Sequence, residues 1–268
     1  MSFSGEDLTV RLGAATVLGD VSFAAEAGQV TAIVGPNGSG KTTLLRALTG
    51  ELGHGGRVAL NGRDVAGMKA WQVAAQRAVL PQATPLAFPF TVYEVVRMGL
   101  ISGAGAANAA LPGRALAAVD LGGYENRFFQ ELSGGEQQRA HLARVLVQVW
   151  EPVGPDGPRW LLLDEPVSSL DIGHQLTVMA LMRAYASRGG GVIAVMHDLN
   201  LTAMAADRAV ILLDGRVLAA GAVAEVLCDP VLRAAYGCDL RMNTVPSDGG
   251  LFVLPQSAGR TGPPGPPE

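Results

Sequence analysis

Gly35-Pro36-Asn37-Gly38-Ser39-Gly40-Lys41-Thr42 is a complete GxxxxGK[ST] run, and its setting decides the reading of the chain. Gln29–Val34 before it reads as a buried strand, and Lys41–Leu48 after it reads as a helix. Strand, glycine-rich loop and helix in that order are the context that a phosphate-binding loop requires. Glycines let the backbone wrap closely round an anion without a Cβ clash. The N–H groups of such a loop and of the helix start point at the anion. Lys41 then neutralises β- and γ-phosphate oxygens, and the Thr42 hydroxyl ligates Mg²⁺. A chance glycine-rich turn is the bland alternative, and the flanking strand and helix argue against it.

Two further stretches carry chemistry. Leu161-Leu162-Leu163-Asp164-Glu165 is an apolar strand that delivers two acids at a sheet edge. Asp164 is placed to hold the Mg²⁺ shell, and Glu165 to act as general base on an attacking water. Many strands end in acids, so the weight comes from the position about 120 residues after the phosphate loop. Leu132-Ser133-Gly134-Gly135-Glu136 is the third. Ser133 reads at least as a plain helix cap. The sharper reading is a second phosphate surface, because two glycines at a helix start expose N–H groups to an anion. A chain with two such surfaces invites dimerisation round shared nucleotide.

Composition sets the outer limits. The chain has 268 residues, 49% of them apolar, and a net charge of −4. A sizeable core is affordable, and a general nucleic-acid binder, which shows a basic face, is disfavoured. The two cysteines, Cys228 and Cys238, have no metal-ligand spacing and suit a reducing compartment. Met1 to Asp7 lacks the basic and then apolar pattern of a secretory signal. No run of about 18 apolar residues predicts a membrane span.

Along the chain, Leu8–Val10, Val21–Ala25 and Arg57–Leu60 read as strands, with a tight turn at Asn61-Gly62. From residue 84 the character changes. Thr91 can cap a helix over Val92–Met98, Gly99–Gly113 reads as a flexible connector, and helices are expected over Arg114–Val119 and Glu136–Trp150. Residues 84–150 are thus a mainly helical insertion. Glu151–Pro158 reads as a loop and Arg159–Leu163 and Val192–Met196 as strands. Helix and strand then alternate, which argues for a mostly parallel sheet with functional groups at its carboxyl ends. Residues 256–268 hold four prolines and no large apolar side chain, and are expected to be a disordered tail.

The glycine-rich loop, LSGGE, LLLDEP, Ser169-Leu170-Asp171 and His197 stand in the order found in ATP-binding subunits of ABC transporters, and the chain resembles that family over residues 6–235. The resemblance implies an α/β fold: a P-loop NTPase domain over 1–255 with a mainly parallel sheet, an N-terminal antiparallel β part and a helical subdomain. It implies ATP and Mg²⁺ as cofactors and ATP hydrolysis coupled to transport. Gly35, Pro36, Asn37, Gly38, Ser39, Gly40, Lys41, Thr42 and Thr43 would hold nucleotide in one copy. Ser133, Gly134, Gly135 and Glu136 of a second copy, arranged head to tail, would close over it. Thr42, Gln82 and Asp164 would hold the metal. Glu165, His197 and Gln82 would be catalytic, Gln82 following Val79-Leu80-Pro81 as the family's Q-loop glutamine does. Asp171 would link the two sites across the interface. The implied partners are that second copy, two membrane permease subunits and, indirectly, a periplasmic binding protein, with no nucleic acid. The implied location is the cytoplasmic face of a bacterial inner membrane.

Two positions depart from the family pattern. Leu12 stands where an aromatic usually stacks on adenine, and Val167 where Thr usually follows DEP. Within the family, Phe88-Pro89-Phe90-Thr91-Val92-Tyr93-Glu94-Val95-Val96-Arg97-Met98-Gly99 is similar to the iron-siderophore, cobalamin and haem importer branch. That run and the Trp150–Trp160 loop resemble the hemin import ATP-binding proteins. Siderophore or cobalamin import is the alternative. A soluble ABC ATPase of DNA repair or translation would show a coiled-coil insertion, zinc-ligand cysteines or a second ATPase domain, and an exporter lacks the importer-like run.

Overall fold

The computed structural model describes residues 1–82, 86, 88–101, 108–247 and 249–258. The chain opens on two long antiparallel strands, β1 (Ser2–Leu12) and β2 (Ala15–Glu26), longer than the sequence pattern marked. β3 (Val30–Val34) leads through the glycine-rich loop into α1 (Lys41–Leu48), as expected. β4 (Gly55–Leu60) and β5 (Arg63–Asp64) form a hairpin whose two turn residues, Asn61 and Gly62, have φ of 51° and 80°. Both angles are positive, as the preferred two-residue hairpin turn demands. α2 (Ala70–Gln76) runs directly into β6 (Arg77–Leu80).

Three helices follow: α3 (Val92–Ile101), α4 (Leu111–Ala118) and α5 (Gly134–Gln148). Thr91 caps α3 through a reciprocal pair, its hydroxyl accepting from Glu94 N–H at 3.3 Å while the Glu94 carboxylate accepts from Thr91 N–H at 2.8 Å. The expected connector is shorter than its glycines suggested. Gly99 lies inside α3, where a Cβ would come within 2.1 Å of the Arg144 carbonyl, so its small size lets α3 and α5 touch. Leu111 starts α4 three residues before the expected boundary, because Pro112 is tolerated in a first turn. Residues 102–107 of the connector lie outside the described residues.

The Glu151–Pro158 loop contains a small hairpin, β7 (Val153–Gly154) and β8 (Gly157–Pro158). β9 (Trp160–Asp164), α6 (Ile172–Ser187), β10 (Gly191–Val195), α7 (Leu199–Ala205), β11 (Arg208–Leu213), β12 (Arg216–Ala222), α8 (Val223–Val226) and α9 (Asp229–Tyr236) complete the domain. The main sheet has the order β12-β11-β3-β10-β9-β6, parallel except for the antiparallel edge β12. A second sheet, β2-β1-β4-β5, is antiparallel. Residues 256–258, the first of the expected tail, are placed against the domain. Pro255 is buried, a 3₁₀ turn spans Pro255–Ser257, and the Gln256 amide donates to Asn200 O at 3.1 Å. Residues 259–268 lie outside the described residues.

Two cores explain the apolar runs. Strand side chains alternate between faces. Val30, Ala32 and Val34 therefore join Leu161, Leu163, Val192 and Ala194 under the helices. Ile33, Trp160, Leu162, Ile193 and Val195 face the antiparallel sheet and α1. Strands covered on both faces have almost no polar position to spare, Thr31 of β3 being one small exception, so charged chemistry is pushed to their ends.

Trp160 pins the second core. It is fully buried, meets the Phe3 ring edge-on at 5.7 Å, and donates from its indole N–H to the Asn61 side chain at 3.1 Å. Trp160→Ala should lower stability by about 3–5 kcal/mol, read as a fall in the midpoint of urea unfolding with an unchanged slope. A shift below about 1 kcal/mol would mean that the site collapses round the cavity.

Candidate functional site

The carboxyl ends of β3, β9 and β10 lie side by side, since Val195 pairs with both Ile33 and Asp164. This register brings the glycine-rich loop, Asp164-Glu165 and His197 to one place, as expected of a parallel sheet. Gly35, Gly38 and Gly40 have φ of 145°, 78° and 100°. A Cβ on Gly35 would lie 2.2 Å from the Leu212 carbonyl, and one on Gly40 2.7 Å from Leu18 Cδ2. The loop is therefore pressed against β11 and β2, and only glycine fits there.

The loop's hollow is held from inside. Lys41 is buried, and its Nζ donates to the carbonyls of Gly35 and Pro36, each at 2.9 Å. Burial pulls the Lys41 pKa below its ordinary value, against the opposing pull of Glu165 and Asp164. The Thr42 hydroxyl donates to Asp164 at 3.2 Å. Asp164 is buried, and its pKa is raised, chiefly by that burial. Gln82, exposed just beyond β6, lines a pocket of about 270 Å³ with Thr42, Glu51 and Asp164. All three residues named for the metal thus border one space.

Glu165 is the most constrained side chain of the site. Its φ is 51°, a left-handed conformation that costs a residue with a Cβ about 1–3 kcal/mol. Its N–H donates to Val195 O at 3.2 Å, and its carbonyl accepts from Gln138 Nε2 and from Ser168, each at 3.3 Å. The carboxylate meets His197 Nε2 at 2.6 Å. The strand end thus turns sharply and fixes the acid against the histidine of the next strand.

Ser133–Glu136 sits apart. Ser133 caps α5, with Glu136 N–H donating to its hydroxyl at 3.4 Å and Ser133 N–H donating to the Glu136 carboxylate at 2.8 Å. These bonds hold Glu136 below the usual carboxylate range, the Ser133 hydroxyl contributing most. Among the described residues, no side-chain hydrogen bond joins Ser133 or Glu136 to the glycine-rich loop. Ser133 and Gly134 are exposed, and Gly134 has open space where a Cβ would stand. Gly135 is different: a Cβ there would lie 3.0 Å from Ser169 O, so this glycine lets α5 approach the segment leading to Asp171. Asp171 caps α6, accepting from His174 N–H at 3.0 Å and pairing with its ring at 2.8 Å.

Sequence reasoning missed three neighbours. Gln138 ties α5 to Glu165. Arg77 donates to the Leu48 and Thr49 carbonyls and so closes the far end of α1; burial brings its pKa down to about 10. Tyr236, the last residue of α9, brings its hydroxyl to the Gly35 backbone, and burial raises its pKa. Gln138 lies two residues after the signature and one helical turn after Gly134, a spacing that could have marked it; the other two pairs are remote in sequence.

Residues 18–168 match the family model described as ABC transporter. The chain is 61% identical over 257 residues to the Hemin import ATP-binding protein HmuV of Jannaschia sp. (strain CCS1), covering 96% of this chain and 95% of that protein. It is 58% identical to the protein of the same name from Roseobacter denitrificans, covering 97% and 100%. A solved structure described as the ATP binding subunit of an ABC transporter superposes with a TM-score of 0.73 at 25% identity, over 89% of this chain and 95% of that one. Leu12, about half exposed at the end of β1, has no aromatic neighbour in the sequence to replace the missing stack. The strained acid, the glycine-only loop and these likenesses agree: the chain belongs to the ABC transporter family, as one of its ATP-binding subunits.

Proposed function

We propose that this chain is the motor of a haem importer, hydrolysing ATP as a head-to-tail pair beneath two membrane permease subunits. The observation that carries the cargo is the 61% identity, nearly end to end, with a hemin import ATP-binding protein. No helix among the described residues is long and apolar enough to cross a membrane. The motor then works from the cytoplasmic face of the bacterial inner membrane by docking. The exposed Phe88, set edge-on to Phe90 with ring centroids 6.3 Å apart, offers the permease an apolar edge. A periplasmic binding protein delivers the cargo on the other side.

The donor set fits ATP with Mg²⁺. Asp164 and Glu165 set two carboxyl groups beside the single Lys41 ammonium, and Mg²⁺ would supply the further positive charge that phosphate oxygens need there. Thr42, Gln82 and Asp164 are the residues to hold it. Residues Gly35 to Thr43 wrap the phosphates, with Lys41 as the charge inside the loop. Glu165 takes the proton of the attacking water. His197, 2.6 Å away, keeps the Glu165 carboxylate aimed, and its turn into the left-handed region fixes the main chain behind it. The exposed start of α5 offers the N–H groups that follow the Ser133 cap, those of Gly134 and Gly135, to nucleotide on a second copy. Asp171, beside it through Ser169 and Gly135, carries the link between the two sites.

Glu165→Gln should keep nucleotide binding and lower turnover by about 10²–10⁴-fold, because shape is kept and basicity lost. Parallel hydrolysis and equilibrium-binding assays read this, and near-normal hydrolysis would remove Glu165 from the role of base. Ser133→Arg should abolish hydrolysis while the glycine-rich loop still takes up nucleotide. Titrated into wild type, it should lower activity per wild-type subunit; full retention at saturating mutant would exclude a shared site. A strain lacking the gene should fail to grow on haem as sole iron source yet use ferric salts, and Lys41→Ala should not restore growth. Normal growth on haem with loss of siderophore or cobalamin uptake would place the protein in the right branch with the wrong cargo.

A further inference from the structure

The last described segment of the chain is attached to the helix that follows His197. His197 ends the β10 side of the site, and α7 starts two residues later. The first turn of α7 is closely held. The Asp198 carboxylate accepts from Asn200 N–H at 2.7 Å and from Leu201 N–H at 2.9 Å, and the Thr202 hydroxyl donates to Asp198 O at 2.7 Å. Onto this turn comes the Pro255–Ser257 segment. Pro255 is buried, the Pro255–Ser257 turn packs on α7, and the Gln256 amide donates to Asn200 O at 3.1 Å. The far end of α7 is held as well, by Arg183 of α6, whose guanidinium donates to Met204 O at 3.3 Å and Ala205 O at 3.4 Å.

α7 is seven residues long, too short to be stable by propensity alone. Its position is therefore set by what grips it. The path from Gln256 to His197 crosses one rigid turn: Gln256 to the Asn200 carbonyl, Asn200 to the Asp198 cap, and Asp198 to its neighbour His197. His197 is 42% exposed and Glu165 15% exposed. The histidine is thus held mainly by its 2.6 Å contact with Glu165 and by the backbone behind it. A shift of α7 by a few tenths of an ångström would move the imidazole relative to the carboxylate it steadies.

We infer that the Pro255–Ser257 turn is a positioning element for His197, with Gln256 as the residue that makes the connection. This rests on the role given to His197 above. Gln256 touches no reacting atom. It acts through the first turn of α7, so its loss should change the rate of hydrolysis and leave nucleotide affinity in place. Plain surface packing would instead change stability and leave the rate per folded molecule untouched.

The test measures ATP hydrolysis by full-length Gln256→Ala and by a chain ending at Leu254, each with His197 and with His197→Ala, alongside melting temperatures. Gln256→Ala should lower kcat by about 3- to 10-fold, the size of one ordinary hydrogen bond, with KM for ATP within about twofold. The chain ending at Leu254 should lose at least as much. In the His197→Ala background, single-turnover assays of the residual hydrolysis should show no further loss from Gln256→Ala, because residues acting through one another are not additive. Wild-type kcat in Gln256→Ala, or an equal loss with and without His197, overturns the inference while leaving His197 in its role. Wild-type hydrolysis by His197→Ala alone overturns the role of His197, and this inference with it.

Discussion

Everything in the site depends on three strands being buried on both faces. β3, β9 and β10 are enclosed between the helices and the antiparallel sheet, and every residue in them is buried. A charge in the middle of such a strand would lose its hydration without a partner, at a cost of several kcal/mol. Acids and histidine are therefore admitted only where the strands end. Parallel pairing puts those ends at one edge, and the register of Val195 with Ile33 and Asp164 sets them level.

The same closeness shapes the glycine-rich loop. Its glycines are often explained by access to phosphate, and here they are equally demanded by the protein behind them. Gly35 is backed by the Leu212 carbonyl of β11 and Gly40 by Leu18 of β2. With the outer wall fixed, the Gly35 and Pro36 carbonyls accept from Lys41 and hold the lysine over the hollow. Such preorganisation spares the cost of ordering the loop on binding. Tyr236 and Arg77 extend it, one reaching Gly35 from α9 and the other closing the end of α1.

The bonding separates the site residues into two groups. Loop, acids and histidine are joined by contacts within the chain. The α5 start keeps its hydrogen bonds to itself in a capping box and turns an exposed face outward. Gly135 against Ser169 is where the two halves of the surface meet, so the segment before Asp171 and the signature turn are one structural unit. The cap satisfies the Ser133 and Glu136 N–H groups and holds the helix start in place, and in the proposed pairing the Gly134 and Gly135 N–H groups are left for a second copy.

The sequence by itself marked the candidate site residues and the strands and helices that flank them, because these rest on local rules. GxxxxGK[ST] needs only its flanking strand and helix, apolar pentapeptides ending in acids can only be enclosed strands, and Asn61-Gly62 carries its own turn geometry. Boundaries governed by distant contacts were not legible. Gly99 reads as a breaker but serves α3 against α5, the Glu151–Pro158 loop is a hairpin, and residue 256 is anchored to Asn200. Only the tertiary structure decided that Glu165 adopts a left-handed turn, that His197 meets its carboxylate, and that the Pro255–Ser257 segment grips α7. The partners in those contacts are separated by 32 and 56 residues, and no periodicity or turn signal spans such a distance. They exist because packing two cores against one sheet leaves those groups one place to go.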